Sequence, residues 1–87
     1  MIEFDPQKAA ANLRKHGVSF SEAEAVFLDA QALAREDEDA EGEFRFVTVG
    51  LGALGRVLAV CWTPREDAYR LISARLASSN ERKAYEG

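Results

Sequence analysis

The stretch Arg56-Val57-Leu58-Ala59-Val60-Cys61-Trp62-Thr63-Pro64-Arg65-Glu66-Asp67-Ala68-Tyr69-Arg70-Leu71-Ile72-Ser73-Ala74-Arg75-Leu76 decides the fold. Apolar, β-branched and aromatic residues dominate 56–63, and a second extended run covers 69–76. Pro64 is expected to end the first strand, and Arg65-Glu66-Asp67 to form the turn. In the second strand, simple alternation places Tyr69, Leu71, Ser73 and Arg75 on one face. Arg70, Ile72, Ala74 and Leu76 fall on the other. The pair is a hairpin of two long strands.

Working upstream, Phe44-Arg45-Phe46-Val47-Thr48-Val49 reads as another strand, with Gly50, Gly52 and Gly55 marking the turn that follows it. Residues 30–36 make a weaker strand, because alanine has low β-propensity. The N-terminal part is helical. Asp5 is placed to cap, Pro6 suits the first helical position and Gly17 the left-handed end, which predicts a helix over 6–16. Ala9, Leu13 and His16 share one face of it, and Lys8, Asn12 and Lys15 a neighbouring polar one. Ser19-Phe20-Ser21-Glu22 matches a capping box, and Phe20, Ala23, Val26 and Phe27 form an apolar stripe over 20–28. Ser78-Ser79-Asn80-Glu81 opens a last short helix reaching Tyr85. The order is two helices, four strands, one helix: an α+β fold with a four-stranded antiparallel sheet.

With 87 residues, the chain has length for one domain, 1–87. At 47% hydrophobic and 30% charged residues, the composition is that of a globular protein rather than a disordered one. No apolar run approaches the roughly 18 residues of a membrane span, and the first residues lack the pattern of a secretion signal. A cytoplasmic location is expected. One cysteine, Cys61, rules out an internal disulfide, and with one histidine, His16, a structural zinc site has too few ligands. No cofactor and no metal are expected.

Charge is uneven along the chain. Residues 1–43 carry four basic residues against eleven carboxylates, a net of −7, and residues 44–87 carry seven against four, a net of +3. Six carboxylates crowd Glu36-Asp37-Glu38-Asp39-Ala40-Glu41-Gly42-Glu43. This is a solvated loop or a docking site for a basic partner.

Chemistry has few places to sit. His16 is the only imidazole, a side-chain type that titrates near pH 6.5 in reference peptides, at the end of the first helix. It is either a half-buried structural residue or a general acid or base. Arg75, in a strand of apolar and small residues, needs a counter-charge, for which Glu81 is nearest in sequence. It serves as half of a structural ion pair or as a phosphate clamp, since a planar guanidinium fits two phosphate oxygens. Glu81 and Tyr85 stand four apart on the last helix and face the same way. Tyr85 packs, stacks on a base or moves a proton. Trp62, Phe44 and Phe46 are assigned to the core, and Cys61 is a small buried hydrophobe.

In order, these residues resemble the BrnT family of bacterial type II toxins. The matching segments are Phe4-Asp5, Lys8, Asn12, Lys15-His16-Gly17-Val18-Ser19-Phe20, Glu22-Ala23, Val26-Phe27 and Asp29. They continue through Glu43, Arg45, Gly50, Arg56 to Val60, Arg70-Leu71-Ile72-Ser73-Ala74-Arg75 and Glu81-Arg82-Lys83-Ala84-Tyr85. Phe4 replaces the Trp common before the Asp, and Leu76 replaces a basic residue common after Ile-Ser-Ala-Arg, losing an RNA contact. The resemblance implies a RelE-like fold, metal-independent RNA cleavage and neutralisation by a BrnA-like antitoxin, through which alone operator DNA is bound. Its candidate catalytic residues are His16 or Glu81 for proton transfer, Arg75 and Lys15 for the phosphate, and Tyr85 as acid or stacking platform. Lys8, Arg45, Arg56 and Arg70 are candidate RNA contacts. Two other readings are a non-enzymatic corepressor module in an antitoxin complex and a single-strand binder that does not cleave.

Overall fold

In the computed structural model, which describes residues 1–38, 42 and 44–87, the strands β1 (Ile2–Glu3), β2 (Leu33–Glu36), β3 (Phe46–Leu51), β4 (Val57–Arg65) and β5 (Ala68–Leu76) form one sheet. The helices are α1 (Pro6–His16), α2 (Phe20–Glu24) and α3 (Ser79–Glu86), and a 3-10 turn (Ala25–Leu28) follows α2. The sheet order is β1-β5-β4-β3-β2. Four strands are antiparallel neighbours, and β1 adds a fifth, parallel to β5, through Ile2 opposite Tyr69 and Glu3 opposite Arg70. The four-stranded antiparallel expectation is therefore corrected to a five-stranded mixed sheet. Two residues are too short to carry a strand signal of their own; only the β5 edge makes them one.

Local chemistry sets α1. Asp5 accepts from the Gln7 amide (2.9 Å), and Gly17, at φ 68°, ends the helix in the left-handed region where a side chain is strained. The face expected to be buried differs: Leu13 is half exposed, and Asn12 turns inward instead. Because β1 stops at Glu3, the β5 backbone at Ala74 has no strand on the side away from β4, and Asn12 takes that place. Its Nδ2 donates to Ala74 O (2.8 Å) and Val18 O (2.9 Å), and its Oδ1 accepts from Ala74 N (3.0 Å). A buried amide that matches a backbone donor and acceptor locks α1 to the sheet.

The second helix is shorter than its pattern. Ser19 Oγ accepts from Glu22 N (2.9 Å), but the Glu22 carboxylate leaves the cap for Arg56 on the far side of the β3–β4 turn (Nε to Oε2 2.9 Å, Nη2 to Oε1 2.5 Å). Helix gives way to the 3-10 turn at Ala25. Gly52 permits this approach, since a Cβ there would sit 2.6 Å from Leu58 Cδ1 and 3.3 Å from Glu22 O.

Strand β4 runs through Pro64 to Arg65 rather than ending at Pro64. Tyr69, opposite Pro64, donates its amide to Met1 O (2.9 Å), so the paired proline nitrogen faces away from β5. The β3 ladder has already stopped at Phe46–Trp62, and the missing donor costs no ladder bond. A register shift between Cys61 and Trp62 pairs Cys61 with Ser73 and Trp62 with Leu71, leaving Ile72 without a partner. It breaks the expected alternation: Leu71 and Ala74 both enter the core under α1 and α2, with Val18, Phe20, Ala23, Val26, Leu58 and Val60. Arg75, opposite Ala59, lies on the other face, where Val47, Val49 and Ala59 make a smaller cluster beneath Tyr85 of α3.

Candidate active site

The capping box of α3 places its one acidic side chain over the sheet. Ser78 Oγ accepts from Glu81 N (3.1 Å), and Glu81 Oε1 accepts in return from Ser78 N (2.8 Å), as the sequence predicts. The carboxylate is then engaged by both arms of Arg75, Nη1 to Oε1 at 2.7 Å and Nη2 to Oε2 at 3.0 Å. Arg35, from the edge strand β2, brings a second guanidinium to Oε2 at 3.5 Å. The Arg75 hydrogen bonds, with help from the Ser78 amide, hold Glu81 down to about 2 from an ordinary 4.5, against the opposing effect of burial. The same contact raises Arg75 above its already high value. At neutral pH the carboxylate is ionised where two arginines converge.

One turn further along α3, Tyr85 Oη donates to Asp29 Oδ2 (2.6 Å). Asp29 also accepts from Leu51 N (2.9 Å) at Oδ2 and from Gln31 N (2.9 Å) at Oδ1. These bonds, Tyr85 first, lower Asp29, and Asp29 raises Tyr85. Cys61 lies on this side of the sheet, its sulfur 3.9 Å from Asp37 Oδ2. Burial, then Asp37, pushes its thiol up, against the pull of Arg45, Arg35 and Arg75. Cys61 is half-buried rather than inert in the core.

A second group gathers at the β5 edge. Lys8, Asn12, Lys15 and His16 of α1 line an open cleft of about 230 Å³ with Ile72 and Ser73. Ser73 and Arg75 are two residues apart on the Cys61–Ala59 side of β5, so roughly 7 Å of strand separates them. Strand β5 is therefore shared: one group meets it at Ser73, the other at Arg75.

Of the sequence candidates, Arg75, Glu81 and Tyr85 come together on the open face, and Lys8, Lys15 and His16 come together at the β5 edge. Two do not join either group as ligand-facing cations. Arg56 is consumed by Glu22 and by Gly17 O (3.1 Å), with the Glu22 side chain buried beneath it. Arg70 sits 3.5 Å from Glu3 at the β1 end of the sheet. Arg45, half-buried before β3, instead lies on the open face, where its charge acts on Cys61 together with those of Arg35 and Arg75. Sequence reasoning missed Arg35, Asp29, Ser73 and the inward turn of Asn12 as parts of this arrangement. Asn12, Asp29 and Ser73 had a signal, since they fall in the segments that resemble the family, whereas alternation in the 30–36 strand gives Arg35 only a face. Phe44, assigned to the core, is 63% exposed, and Phe46 and Trp62 are half-buried. Of the acidic 36–43 stretch, Asp39, Ala40, Glu41 and Glu43 lie outside the described residues.

The arrangement is suited to an anion with more than one oxygen. Two guanidiniums converge on one position, and amines and an imidazole border a cleft a few ångströms along the same strand. Known proteins carry the same architecture. The family model described as "Ribonuclease toxin, BrnT, of type II toxin-antitoxin system" matches residues 4–81. The crystal structure of the Brucella abortus ribonuclease toxin BrnT superposes with a TM-score of 0.67 at 28% identity, over 90% of this chain and 96% of that one. Among curated proteins, none matches the chain. With the match spanning nearly all of its length, the chain belongs to the BrnT family, the ribonuclease toxins of type II toxin–antitoxin systems.

Proposed function

We propose that the chain cleaves RNA without a metal, using β5 as the rail along which the scissile phosphate is held. The observation that carries this reading is the two-arginine position at Glu81, on the same strand as the Lys15–His16 cleft. Cleavage of this kind begins when a base takes the ribose 2′-hydroxyl proton. The 2′-oxygen then forms a bond to the adjacent phosphorus while the bond to the 5′-oxygen breaks, and an acid protonates that leaving oxygen. Negative charge grows on the non-bridging oxygens between these events. The Arg75 fork, which the phosphate takes over from the Glu81 carboxylate, and the Lys15 ammonium offset it.

His16 takes the 2′-hydroxyl proton in this reading, because imidazole is the side chain suited to moving protons near neutral pH, and water supplies the proton to the leaving 5′-oxygen. A carboxylate held near 2 accepts protons poorly there, so Glu81 orients Arg75 and marks where the phosphate oxygens go. Tyr85, whose hydroxyl is raised by Asp29, tethers α3 rather than donating a proton. Lys8 guides the strand toward the cleft. A BrnA-like antitoxin neutralises the toxin, operator DNA is reached only through that antitoxin, and the work is done in the cytoplasm. No helix of the described chain is long and apolar enough to cross a membrane.

The test is a structured RNA incubated with the protein in excess chelator, beside Arg75→Ala with an unchanged circular dichroism spectrum. The parent is expected to cleave, and the variant to be slower by about 100-fold or more, the scale of losing one preorganised donor to a developing oxyanion. Intact RNA with the parent would instead favour the non-enzymatic corepressor, and equal cleavage by both would remove Arg75 from the site.

A further inference from the structure

At the end of the sheet away from Arg75, five aromatic rings are in continuous contact. Phe44 stacks on Phe46 (centroids 5.8 Å), Phe46 on Trp62 (5.0 Å), and Trp62 meets Tyr69 edge-on (4.9 Å). Phe27 closes the group by stacking on Tyr69 (4.3 Å). Trp62 Nε1 donates to Thr48 Oγ1 (2.8 Å), which fixes the indole at the centre. The rings are not sealed: Phe44 is 63% exposed, and Trp62, Tyr69 and Met1 line an open cleft with the Glu66-Asp67 hairpin tip. Rigid, pre-stacked aromatics left at the surface are the material of protein-binding hot spots.

The charge around them selects the partner. Glu36 stands directly opposite Phe46 on the edge strand, Glu38 follows two residues on, and Glu66 and Asp67 close the other side, while Asp37 turns to the Cys61 face. Stacking of RNA bases would bring phosphates against this rim, and a second copy of the chain would bring the same carboxylates. A protein segment that sets Lys or Arg beside a large apolar side chain satisfies both the rings and the rim. We propose that this aromatic end is the docking surface for such a basic segment of the antitoxin, leaving the Arg75 face as a separate RNA surface. The proposal rests on the toxin–antitoxin reading above.

The test titrates the cognate antitoxin into the full-length protein by calorimetry, with RNA cleavage by each toxin variant measured separately without antitoxin. Phe44→Ser and the exposed charge reversals Glu36→Lys and Asp67→Lys are each expected to weaken the complex by about tenfold or more. Leu54→Ser, in the turn at the other end of the molecule, is expected to bind as the parent does. Cleavage is expected to be unchanged in all four. Antitoxin affinity within twofold of the parent for Phe44→Ser and both charge reversals would overturn the proposal. So would weakened RNA binding by these variants, or a parent self-association that Phe44→Ser abolishes. The charge reversals sit on the rim, so they decide the matter even if Phe44→Ser folds poorly. Loss of cleavage by the parent with the affinity pattern intact would count against the nuclease reading alone.

Discussion

The two faces of the sheet are built from the same strands and do opposite things. Under α1 and α2, Leu58, Val60, Leu71 and Ala74 are fully out of water, and the polar Asn12 placed among them has its hydrogen bonds made. On the other face the apolar patch is Val47, Val49 and Ala59, and beyond it arginines and carboxylates hold one another. In the reading proposed above, the helix-covered face carries the stability, the open face holds the arginines for the phosphate, and Lys15 and His16 sit at the β5 edge between them. In β5 the division turns on one unpaired residue, Ile72, which lets Leu71 and Ala74 share one face while Ser73 and Arg75 share the other.

The sharpest way to break this division is to damage the covered face and watch the open one. Leu58→Ala is expected to cost about 3 kcal/mol in denaturant unfolding, from lost burial plus the cavity left behind. Cleavage per folded molecule should remain that of the parent; a loss of activity without a loss of stability would show that the two faces are coupled. Next in size is Arg75→Lys, which keeps the charge and loses the fork. Roughly tenfold slower cleavage is expected, with a denaturation midpoint close to the parent's.

Glu81→Gln sharpens the comparison through pH. Glu81 is depressed from 4.5 to about 2 in the folded chain, so its ionised form stabilises the protein above about pH 4.5, and that contribution is lost as pH falls toward 2. Acid unfolding of the parent should contain this loss, and the glutamine variant should be flatter across that window. Identical acid profiles would mean that the Arg75–Glu81 pair does not persist in solution. Tyr85→Phe is expected to have the smallest effect, a slight fall in the unfolding midpoint and unchanged cleavage. A large fall in cleavage would make the hydroxyl a proton donor after all.

What was legible in the sequence is what short-range chemistry decides. Asp5, Pro6 and Gly17 bound α1, and the Ser78–Glu81 box both starts α3 and aims the carboxylate at Arg75. The pairing of Arg75 with Glu81 could be anticipated because only six residues separate them. Features decided by distant parts of the chain were not legible. Ile2–Glu3 becomes a strand only beside β5, and Asn12 is buried only because the outer edge of β5 at Ala74 has no strand to pair with. Glu22 has the sequence of a capping residue and the structure of an ion-pair partner, because Arg56 arrives from 34 positions away. Arg35 joins Glu81 across 46 positions, a meeting that strand alternation alone does not specify.

The Asn12–Ala74 link spans 62 positions, and its consequence is one of timing. Helix α1 has its caps as soon as residues 5–17 exist, but it cannot dock on β5 until the chain as far as Ala74 has left the ribosome. Contacts this far apart form late and slow the search for the native state. The cleft needs α1 against β5, and the arginine position needs β2, β5 and α3 together. A growing chain therefore has neither half of the candidate site until β5, and for the arginine position α3 as well, has joined the earlier elements.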